Sequence, residues 1–337
     1  MPTPRKSAVT LVDVAREANC SVSLASIVMR DAAGASQESR RRIKAVAKRL
    51  GYRPDQRARA LRRSHSGLIG VTFGVHQPFH AELVEGLYAA AQHTEHELVL
   101  SAVVPGIDDR RAAETLLRDR CESLIMLGPQ LGTARLRLLA DEVPVVTVAR
   151  PLESKDVDVV RVDDAGGMAL AVDHLVSLGH SRIVHVNGAQ VPSSVQREAG
   201  YHQAMARHGL AEHGEILHGG LEREDGLRAA AELLERSAPL PTAVVAFNDR
   251  VASGLMQGLL TAGVDIPGRV SVIGFDNARR SASAQVPLTT IDQNAPLMAK
   301  MALDRAIGRA AREYLPSEQI LVPRLVERAS TAAPTRH

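Results

Sequence analysis

The N-terminal part of the fold is decided by the stretch Thr10-Leu-Val-Asp-Val-Ala-Arg-Glu-Ala-Asn-Cys-Ser-Val-Ser-Leu-Ala-Ser-Ile-Val-Met29. Thr10 followed three residues later by Asp13 is the pattern of an N-terminal capping pair, so a helix is expected to begin here. Ser21 is a good N-cap for a second helix. The apolar residues that share one face of that second helix are Ala25, Val28 and Met29. Because only a short turn separates the two helices, the stretch predicts a helix-turn-helix.

A third helix is expected to support the first two. Ser36 is its predicted N-cap and Gly51 its predicted C-terminal cap. The residues between them that fall at helical spacing and should face the core are Ile43, Val46, Ala47 and Leu50. Three short helices of this kind form a DNA-binding head.

The charge distribution favours the same interpretation. Residues 1–63 contain fifteen Lys or Arg and five Asp or Glu, a net charge of +10, so the rest of the chain carries −7 of the total of +3. A basic head on an acidic body is typical of a nucleic-acid-binding module joined to a partner domain. A basic segment that only aids solubility is the alternative.

From Leu68 onward the sequence alternates between apolar, strand-like runs and amphipathic, helix-like stretches. Strand-like apolar runs are predicted at 68–73, 98–104, 123–127, 143–149, 182–186, 243–247 and 270–275. Amphipathic helical stretches are predicted at 81–93, 109–119, 165–178, 194–208, 224–236 and 249–262. This alternation predicts an α/β body of two lobes with parallel sheets. A ligand would lie between the lobes, at the carboxyl ends of the strands.

Several classes of protein are disfavoured by what the sequence lacks. The two cysteines, Cys20 and Cys121, are far apart, which suits a reducing cytosol and gives neither a disulfide framework nor a zinc site. Neither a secretory leader nor an apolar run long enough for a membrane span is evident, so a cytoplasmic location is expected. No nucleophile–base pair emerges, and we expect no enzyme, no cofactor and no metal. An α/β enzyme and a free-standing solute-binding protein remain alternatives.

Taken together, the motifs resemble the LacI family of bacterial regulators over nearly the whole chain. The motifs that carry the resemblance in the head are Leu-Val-Asp-Val-Ala-Arg-Glu-Ala (11–18), Ser21-Val-Ser-Leu-Ala-Ser26 and Leu50-Gly-Tyr-Arg-Pro54. Those in the body are Pro78-Phe79, Glu82-Leu-Val-Glu-Gly86, Val162-Asp-Asp, His174-Leu-Val-Ser-Leu-Gly-His180, Arg197-Glu-Ala-Gly-Tyr201, Asn248-Asp249, Val272-Ile-Gly-Phe-Asp276 and Leu288-Thr-Thr-Ile291. The resemblance implies a homodimeric repressor that binds double-stranded operator DNA and responds to a small-molecule effector.

The resemblance also implies a domain plan. A helix-turn-helix head occupies residues 1–51, a hinge helix and linker residues 52–66, and a two-lobed body residues 67–330. Lobe 1 covers about 67–161 and 291–321, lobe 2 about 162–290 and 322–330, and a frayed tail follows at 331–337. The hinge segment 54–63 is too short to be a stable helix alone.

The DNA-contacting residues are assigned by matching the head and hinge to the family. They are Thr10, Ser21, Val22, Ser23, Ser26, Ile27, Arg30, Tyr52, Arg53, Arg57, Ala58 and Leu61. Arginines of the third helix and hinge would contact phosphates, which position the protein without reading sequence. Leu61 matches the leucine that the family wedges into a central base step, although it would also pack on its dimer mate.

The second helix departs from the family where an arginine usually lies, because this chain has Ile27. A bidentate arginine–guanine contact is therefore unavailable. The hypothesis is that Val22 and Ile27 contact thymine methyl groups and that Ser23 or Ser26 donates hydrogen bonds nearby. The alternative is that Ile27 packs within the head and reads no base.

The effector-binding residues are assigned in two ways. The resemblance implies Arg197, Leu221, Asn248 and Asp276, the last of which also follows a strand. His76, Phe79 and Arg150 are added because they follow predicted strands of lobe 1 and should face the cleft. Arg197 would donate a forked pair of hydrogen bonds, and Asp276 would accept from hydroxyls or amines. A surface ion pair for Arg197, a turn cap for Asp276 and a helix N-cap for Asn248 are the alternatives.

One departure puts a sugar ligand in doubt. Sugar-binding relatives often have an aromatic residue where this chain has Leu221, and aromatic residues make up only 2% of the chain. Phe79 remains available as a platform. The histidine pair His76 and His80, four residues apart, is interpreted as ordinary polar residues.

Overall fold

The structure, a computed structural model, describes residues 9–29, 33–52, 66–313 and 317–335. Contacts divide the chain into two compact units, Met1–Ser66 and Gly67–His337, each described here by itself. Five of the predicted DNA-contacting positions, Arg30, Arg53, Arg57, Ala58 and Leu61, lie outside the described residues, as does the whole hinge segment 54–63.

The head is built from three helices, α1 (Leu11–Glu17), α2 (Val22–Met29) and α3 (Gln37–Leu50). The predicted capping box is confirmed, because Thr10 Oγ1 accepts from the Asp13 N–H while the Asp13 carboxylate accepts from the Thr10 N–H at 2.9 Å. Ser21 Oγ accepts from the Leu24 N–H at 3.1 Å and so caps α2. Gly51 ends α3 with a φ of 68°, as the sequence predicts.

The core of the head follows the predicted helix faces. Its fully buried members are Val14, Ala15, Ala18, Ala25, Val28, Ile43 and Ala47. The partly buried residues packed against them include Leu24, Met29, Val46, Leu50 and Tyr52. Each helix therefore buries one face, which is what positions α2 with its other face outward.

The body consists of alternating strands and helices. In chain order they are β1 (Leu68–Gly74), α4 (Pro78–Ala91), β2 (Glu97–Val103), α5 (Asp109–Arg118), β3 (Ser123–Leu127), α6 (Thr133–Ala140), β4 (Val145–Val148), β5 (Asp158–Val162), α7 (Asp164–Ser177), β6 (Ile183–Val186), α8 (Pro192–Arg207), a 3₁₀ turn (Ala211–His213), β7 (Glu215–Leu217), α9 (Arg223–Glu235), β8 (Ala243–Ala246), α10 (Asp249–Thr261), β9 (Ser271–Asp276), α11 (Arg279–Ala282), β10 (Thr289–Asp292), α12 (Ala295–Ala310), β11 (Glu318–Leu321) and β12 (Arg324–Val326).

These elements form the two predicted parallel-sheet lobes. Lobe 1 contains the sheet β11-β5-β4-β3-β1-β2, and lobe 2 contains the sheet β12-β10-β9-β8-β6-β7. Neighbouring strands are parallel except β10 and β12, which are antiparallel. The central strands β3, β4 and β8 are buried along their whole length, as expected for sheets covered by helices on both faces.

The chain passes between the lobes three times, after β5, after β10 and after β11. Helix α12 packs on α4 and against β3, β4 and β5, so it returns to lobe 1 after β10 has completed the sheet of lobe 2. The predicted frayed tail is wrong for its first part. Thr331 Oγ1 lies 3.0 Å from His174 Nε2, and the Ala332 N–H donates to Ser271 Oγ at 3.1 Å.

The packing of α9 against α10 requires glycine on both helices. A Cβ atom added to Gly226 would overlap the carbonyl oxygen of Val251, and one added to Gly254 would overlap the carbonyl oxygen of Arg223. Because these neighbours are backbone atoms, no side-chain rotation relieves the overlap. By contrast, Gly132, which precedes α6, has open space beside it.

We predict that Gly226→Ala lowers the free energy of unfolding by about 3 kcal/mol, the upper end of the cost of overpacking, because α9 and α10 must move apart. The matched change Gly132→Ala should alter it by less than about 1 kcal/mol. Urea unfolding followed by circular dichroism measures both. Equal effects of the two substitutions would show that the helix crossing tolerates a methyl group.

Candidate functional site: a cavity between the lobes and an exposed helix face on the head

The cavity of the body has a volume of about 230 Å³ and lies at the carboxyl ends of strands from both lobes. Its lining includes Gly74, Gln77, Phe79, His80, Asp109, Gly128, Pro129, Gln130, Arg150, Ser193, Arg197, Leu221, Phe247, Asn248, Asp276 and Gln293. Parallel strands expose their terminal loops at one edge, which is why residues distant in sequence meet here. The volume suits a small metabolite.

Arg197 is the most extensively held side chain of the cavity. Its Nε donates to Asp164 Oδ1 at 2.8 Å and its Nη1 to the Phe247 carbonyl at 2.5 Å. The guanidinium lies 3.6 Å from the centre of the Phe275 ring. Since Arg197 is only 4% exposed, the alternative of a surface ion pair is excluded. Among the described residues Nη2 has no protein partner, which leaves it for a ligand.

Asp276 ends β9 at the cavity wall, and its backbone is strained. Its φ is 126°, a conformation that residues with a side chain rarely adopt, and such strain is typical of functional sites. Its Oδ1 accepts from Gln293 Nε2 at 2.6 Å instead of capping a turn. Burial raises the pKa of Asp276 well above its ordinary value, and the carboxyl of Asp249 raises it further.

Asp249 lies close enough to Asp276 to affect its charge and is 4% exposed. It accepts hydrogen bonds from Ser281 Oγ at 2.5 Å, from Thr290 Oγ1 at 2.6 Å and from the Ala278 N–H at 2.8 Å. Burial raises the pKa of Asp249 to about 6 in spite of these bonds. Two carboxyl groups in one buried region cannot both ionise without a cost, so protonation of one is linked to the state of the other.

Asn248 combines the two roles weighed from the sequence. Its Oδ1 accepts from the Val251 N–H at 2.8 Å, which caps α10, and its Nδ2 donates to the Leu221 carbonyl at 3.2 Å. It lines the cavity while its polar atoms are used by the protein. Asn248 therefore shapes the wall more than it offers hydrogen bonds to a ligand.

The wall that lobe 1 contributes is formed by Phe79, His80, Asp109 and Arg150. His80 Nδ1 accepts from the Gly74 N–H at 3.0 Å, and burial lowers the pKa of His80 to about 4. The imidazole is therefore neutral at pH 7 and carries its proton on Nε2. Asp109 accepts from the Gln130 N–H at 2.9 Å, and burial raises its pKa.

The structure brings together six of the seven effector-binding residues predicted from the sequence and leaves out His76. The lining residues among them are Phe79, Arg150, Arg197, Leu221, Asn248 and Asp276. His76 is exposed, and its carbonyl oxygen accepts from Arg250 Nη1. His80 lies in the cavity in its place, one helical turn further along, because Gln77 is the N-cap and α4 turns the following residues inward.

The second candidate site is the outward face of α2. Ser21, Val22 and Ser23 are exposed there, and Val22 is 45% exposed although it is apolar. Ile27 is half-buried, does not belong to the hydrophobic core of the head, and points toward Gly34. Thr10 uses its hydroxyl and amide in the capping box, and Tyr52 packs against the core.

Two further searches bear on other functions. Among the described residues, no cluster of three or more His, Cys, Asp or Glu side chains is arranged to hold a metal ion. Within the same ranges, no helix has the length and apolar character needed to cross a membrane.

Comparison with known proteins gives consistent matches. Residues 10–55 match the family described as bacterial regulatory proteins, lacI family, and residues 172–331 match the periplasmic binding protein-like domain. The HTH-type transcriptional regulator GalR of Escherichia coli is 32% identical over 332 residues, 97% of this chain and 96% of its own length.

Solved structures extend this likeness to three dimensions. The lac repressor dimer bound to operator and the anti-inducer ONPF has a TM-score of 0.85 at 26% identity, over 97% of this chain and 100% of its own. A LacI transcriptional regulator from a Rhodococcus species is 42% identical, with a TM-score of 0.76 over 80% of this chain and 100% of its own.

We predict that the free energy of unfolding depends on pH through Asp249 and that Asp249→Asn removes this dependence. Asp249 has a folded-state pKa of about 6 against 3.8 when unfolded, so its contribution to stability is full below pH 4 and is lost as the pH rises through 6. Asparagine resembles the protonated acid and cannot ionise. The variant's free energy of unfolding should gain about 2 kcal/mol relative to wild type between pH 4 and pH 7. Urea titrations at each pH measure the difference, and a flat difference curve would contradict the assignment.

Proposed function

The chain belongs to the LacI family of bacterial regulatory proteins, and on that premise we propose that it is a sequence-specific DNA-binding transcriptional repressor. It acts as a homodimer, and a small-molecule effector bound between the lobes of its body modulates its affinity for operator DNA. The observation that carries this proposal is the combination, in one chain, of a basic helix-turn-helix head with a polar cavity between two parallel-sheet lobes.

The mechanism is a shift of population between two states of the dimer. An effector changes operator affinity only to the extent that it binds one state more tightly than the other. The cavity is formed by strand ends of both lobes, so its contacts depend on how the lobes stand to each other. An effector therefore fixes the position of one lobe relative to the other, and operator affinity depends on that position.

Recognition of DNA falls to α2. Its exposed residues Val22 and Ser23 offer a methyl-bearing surface and a hydroxyl, and the helix has no arginine with which to contact guanine. Ile27, half-buried at the edge of this face, supplies a second apolar surface. Apolar contact with thymine methyl groups fits this set of side chains better than bidentate hydrogen bonding does.

The experiment that tests the function is selection of bound duplexes from a random pool by the full-length protein at near-physiological salt. A palindromic site, with two half-sites related by a twofold axis, is the expected result for a homodimer. Recovery of single half-sites would contradict dimeric recognition. Absence of any enriched sequence would contradict sequence-specific binding by the protein without effector.

Repeating the selection with Ile27→Ala tests the contact made by α2. We predict that the preference for thymine weakens at one or two positions of each half-site, by about 1–3 kcal/mol at a position, while the rest of the site is unchanged. The control is Val12→Ala, which removes an equally apolar side chain, 50% exposed, from α1. Base preferences that stay the same in Ile27→Ala would show that this residue reads no base.

A further inference from the structure

Arg150 is a buried cation whose hydrogen-bonding capacity the protein uses only in part. It follows β4, is 6% exposed and lines the cavity. Its Nη1 donates to the Pro129 carbonyl, whereas its Nε is buried without any hydrogen-bond partner. Within the described part of the chain, no carboxylate oxygen lies within 4.0 Å of its guanidinium.

Two other buried arginines of the body each have a carboxylate within 4.0 Å. Arg197 is paired with Asp164 at 2.8 Å, and Arg305 has Asp158 at 3.6 Å although its Nε, Nη1 and Nη2 make no hydrogen bond. A buried charge without a close counter-charge is costly, and proteins normally pair it. Burial accordingly lowers the pKa of Arg150. The carboxylate of Asp109, which lies more than 4 Å away, raises that pKa by a smaller amount. Among the described residues, Arg150 therefore has a neutral acceptor in the Pro129 carbonyl but no close counter-charge, and a ligand anion would supply one.

A second donor without an acceptor lies on the same wall. Because His80 Nδ1 accepts from the Gly74 N–H, the proton of the neutral ring is on Nε2. Among the described residues no hydrogen-bond acceptor engages this Nε2–H, and the ring edge lies against Gly128 in the cavity lining. The lobe 1 wall thus presents two unused donors, one of them charged.

The opposite wall has the reverse character. Gln293 is 2% exposed and its Oε1 is buried without a partner, because the amide donates through Nε2 to Asp276. The other carboxyl oxygen of Asp276 has no protein partner among the described residues. Hydroxyl groups suit both side chains, because a hydroxyl donates to Gln293 Oε1 and can either donate to or accept from the Asp276 carboxyl, whose raised pKa favours the protonated form. The two walls therefore suit different ends of one molecule.

We propose that the effector is an acidic polyol, whose carboxylate or phosphate oxygens accept from Arg150 and His80 and whose hydroxyl groups form hydrogen bonds with Asp276 and Gln293. This inference rests on the proposed function, since it names the chemical class of ligand for the same cavity. A neutral sugar would satisfy hydrogen bonds but would leave the Arg150 charge without a counter-charge. The acidic group faces lobe 1, and the polyol faces lobe 2.

The test is the thermal unfolding of the full-length protein with matched ligands, at constant ionic strength. The probes are D-glucose, D-galactose and D-ribose, each as the neutral sugar, as the aldonate and as the terminal phosphate. We expect at least one acidic form to raise the unfolding temperature of the body where its neutral parent has no effect. Protection by an aldonate would identify a carboxylate ligand, and protection by a phosphate a phosphorylated one.

Variants assign that protection to the cavity wall. Arg150→Met keeps the length of the side chain without its charge, and it should weaken binding of the acidic probe at least tenfold, as expected for loss of about 1.5–3 kcal/mol from a charged hydrogen bond. Arg150→Lys should retain part of the affinity. Arg110→Met, on the exposed face of α5, is the control that should bind as wild type does.

The proposal and the proposed function fail in different ways. Protection by a neutral sugar that is equal in wild type and Arg150→Met would overturn the acidic class, while control by an effector would stand. Protection by an acid that survives in Arg150→Met, or the absence of protection by every acid, would likewise overturn it. Stability offers an independent check, because Arg150→Met without ligand should unfold at a higher temperature than wild type, and a lower temperature would show that Arg150 is a structural cation.

Discussion

The buried ion pair between Arg197 and Asp164 is the interaction on which the ligand-binding region depends. It joins α8 to the first turn of α7, and through the Phe247 carbonyl and the Phe275 ring it also fixes the ends of β8 and β9. Because an unpaired buried charge is so costly, breaking this pair would disturb four elements together. The geometry of lobe 2 is thus set before any ligand enters. A ligand meets a lobe 2 wall whose arginine is paired at 2.8 Å and a lobe 1 wall whose arginine, Arg150, has no carboxylate within 4.0 Å among the described residues.

The head could be predicted in detail because its signals are local. Caps at Thr10, Ser21, Ser36 and Gly51 depend on residues at most a few positions away, and the structure has a helix boundary at each of them. The apolar spacing that defines each inward face is equally local. The exposure of Ile27 could not be predicted from the sequence, because it depends on how closely Gly34 approaches the Ile27 side chain.

In the body, the buried strands were predictable and the shorter or more polar elements were not. Strands β1, β3, β8 and β9 are mostly apolar, whereas β5 contains Asp158 and Arg161, and β7 has only three residues. Helix α12 was not predicted either, although Asn294 caps its N-terminus. It lies between two passages of the chain from one lobe to the other, and its position depends on contacts with α4 and with the strands of lobe 1. Elements of this kind owe their structure to neighbours distant in sequence.

The cavity shows the same limit at the level of single residues. Residues at strand ends, such as Arg150 and Asp276, were assigned correctly to its wall because strand ends share an edge of the sheet. His76 and His80 were harder to tell apart, since the choice depends on where α4 begins and thus on which turn faces inward. The sequence did not indicate that Gln293 lines the cavity, because its hydrogen-bond partner Asp276 lies on β9, seventeen residues earlier.

The contacts that already bridge the lobes indicate what an effector must add. Gln77 donates to Glu222, Arg250 to the carbonyl of His76, and Arg279 to Glu82 and Glu85. These bridges lie at the rim and are largely exposed, where an ion pair contributes about 0–1 kcal/mol because water competes for both partners. These polar contacts therefore add little to the free energy that favours this arrangement of the lobes. The unused groups of Arg150 and Gln293, by contrast, are buried. A molecule that forms hydrogen bonds with both in a single arrangement of the lobes therefore contributes far more free energy than the rim contacts do. On the proposed function, that difference in free energy, and not the rim contacts, is what a bound effector has available to favour one arrangement of the lobes over another.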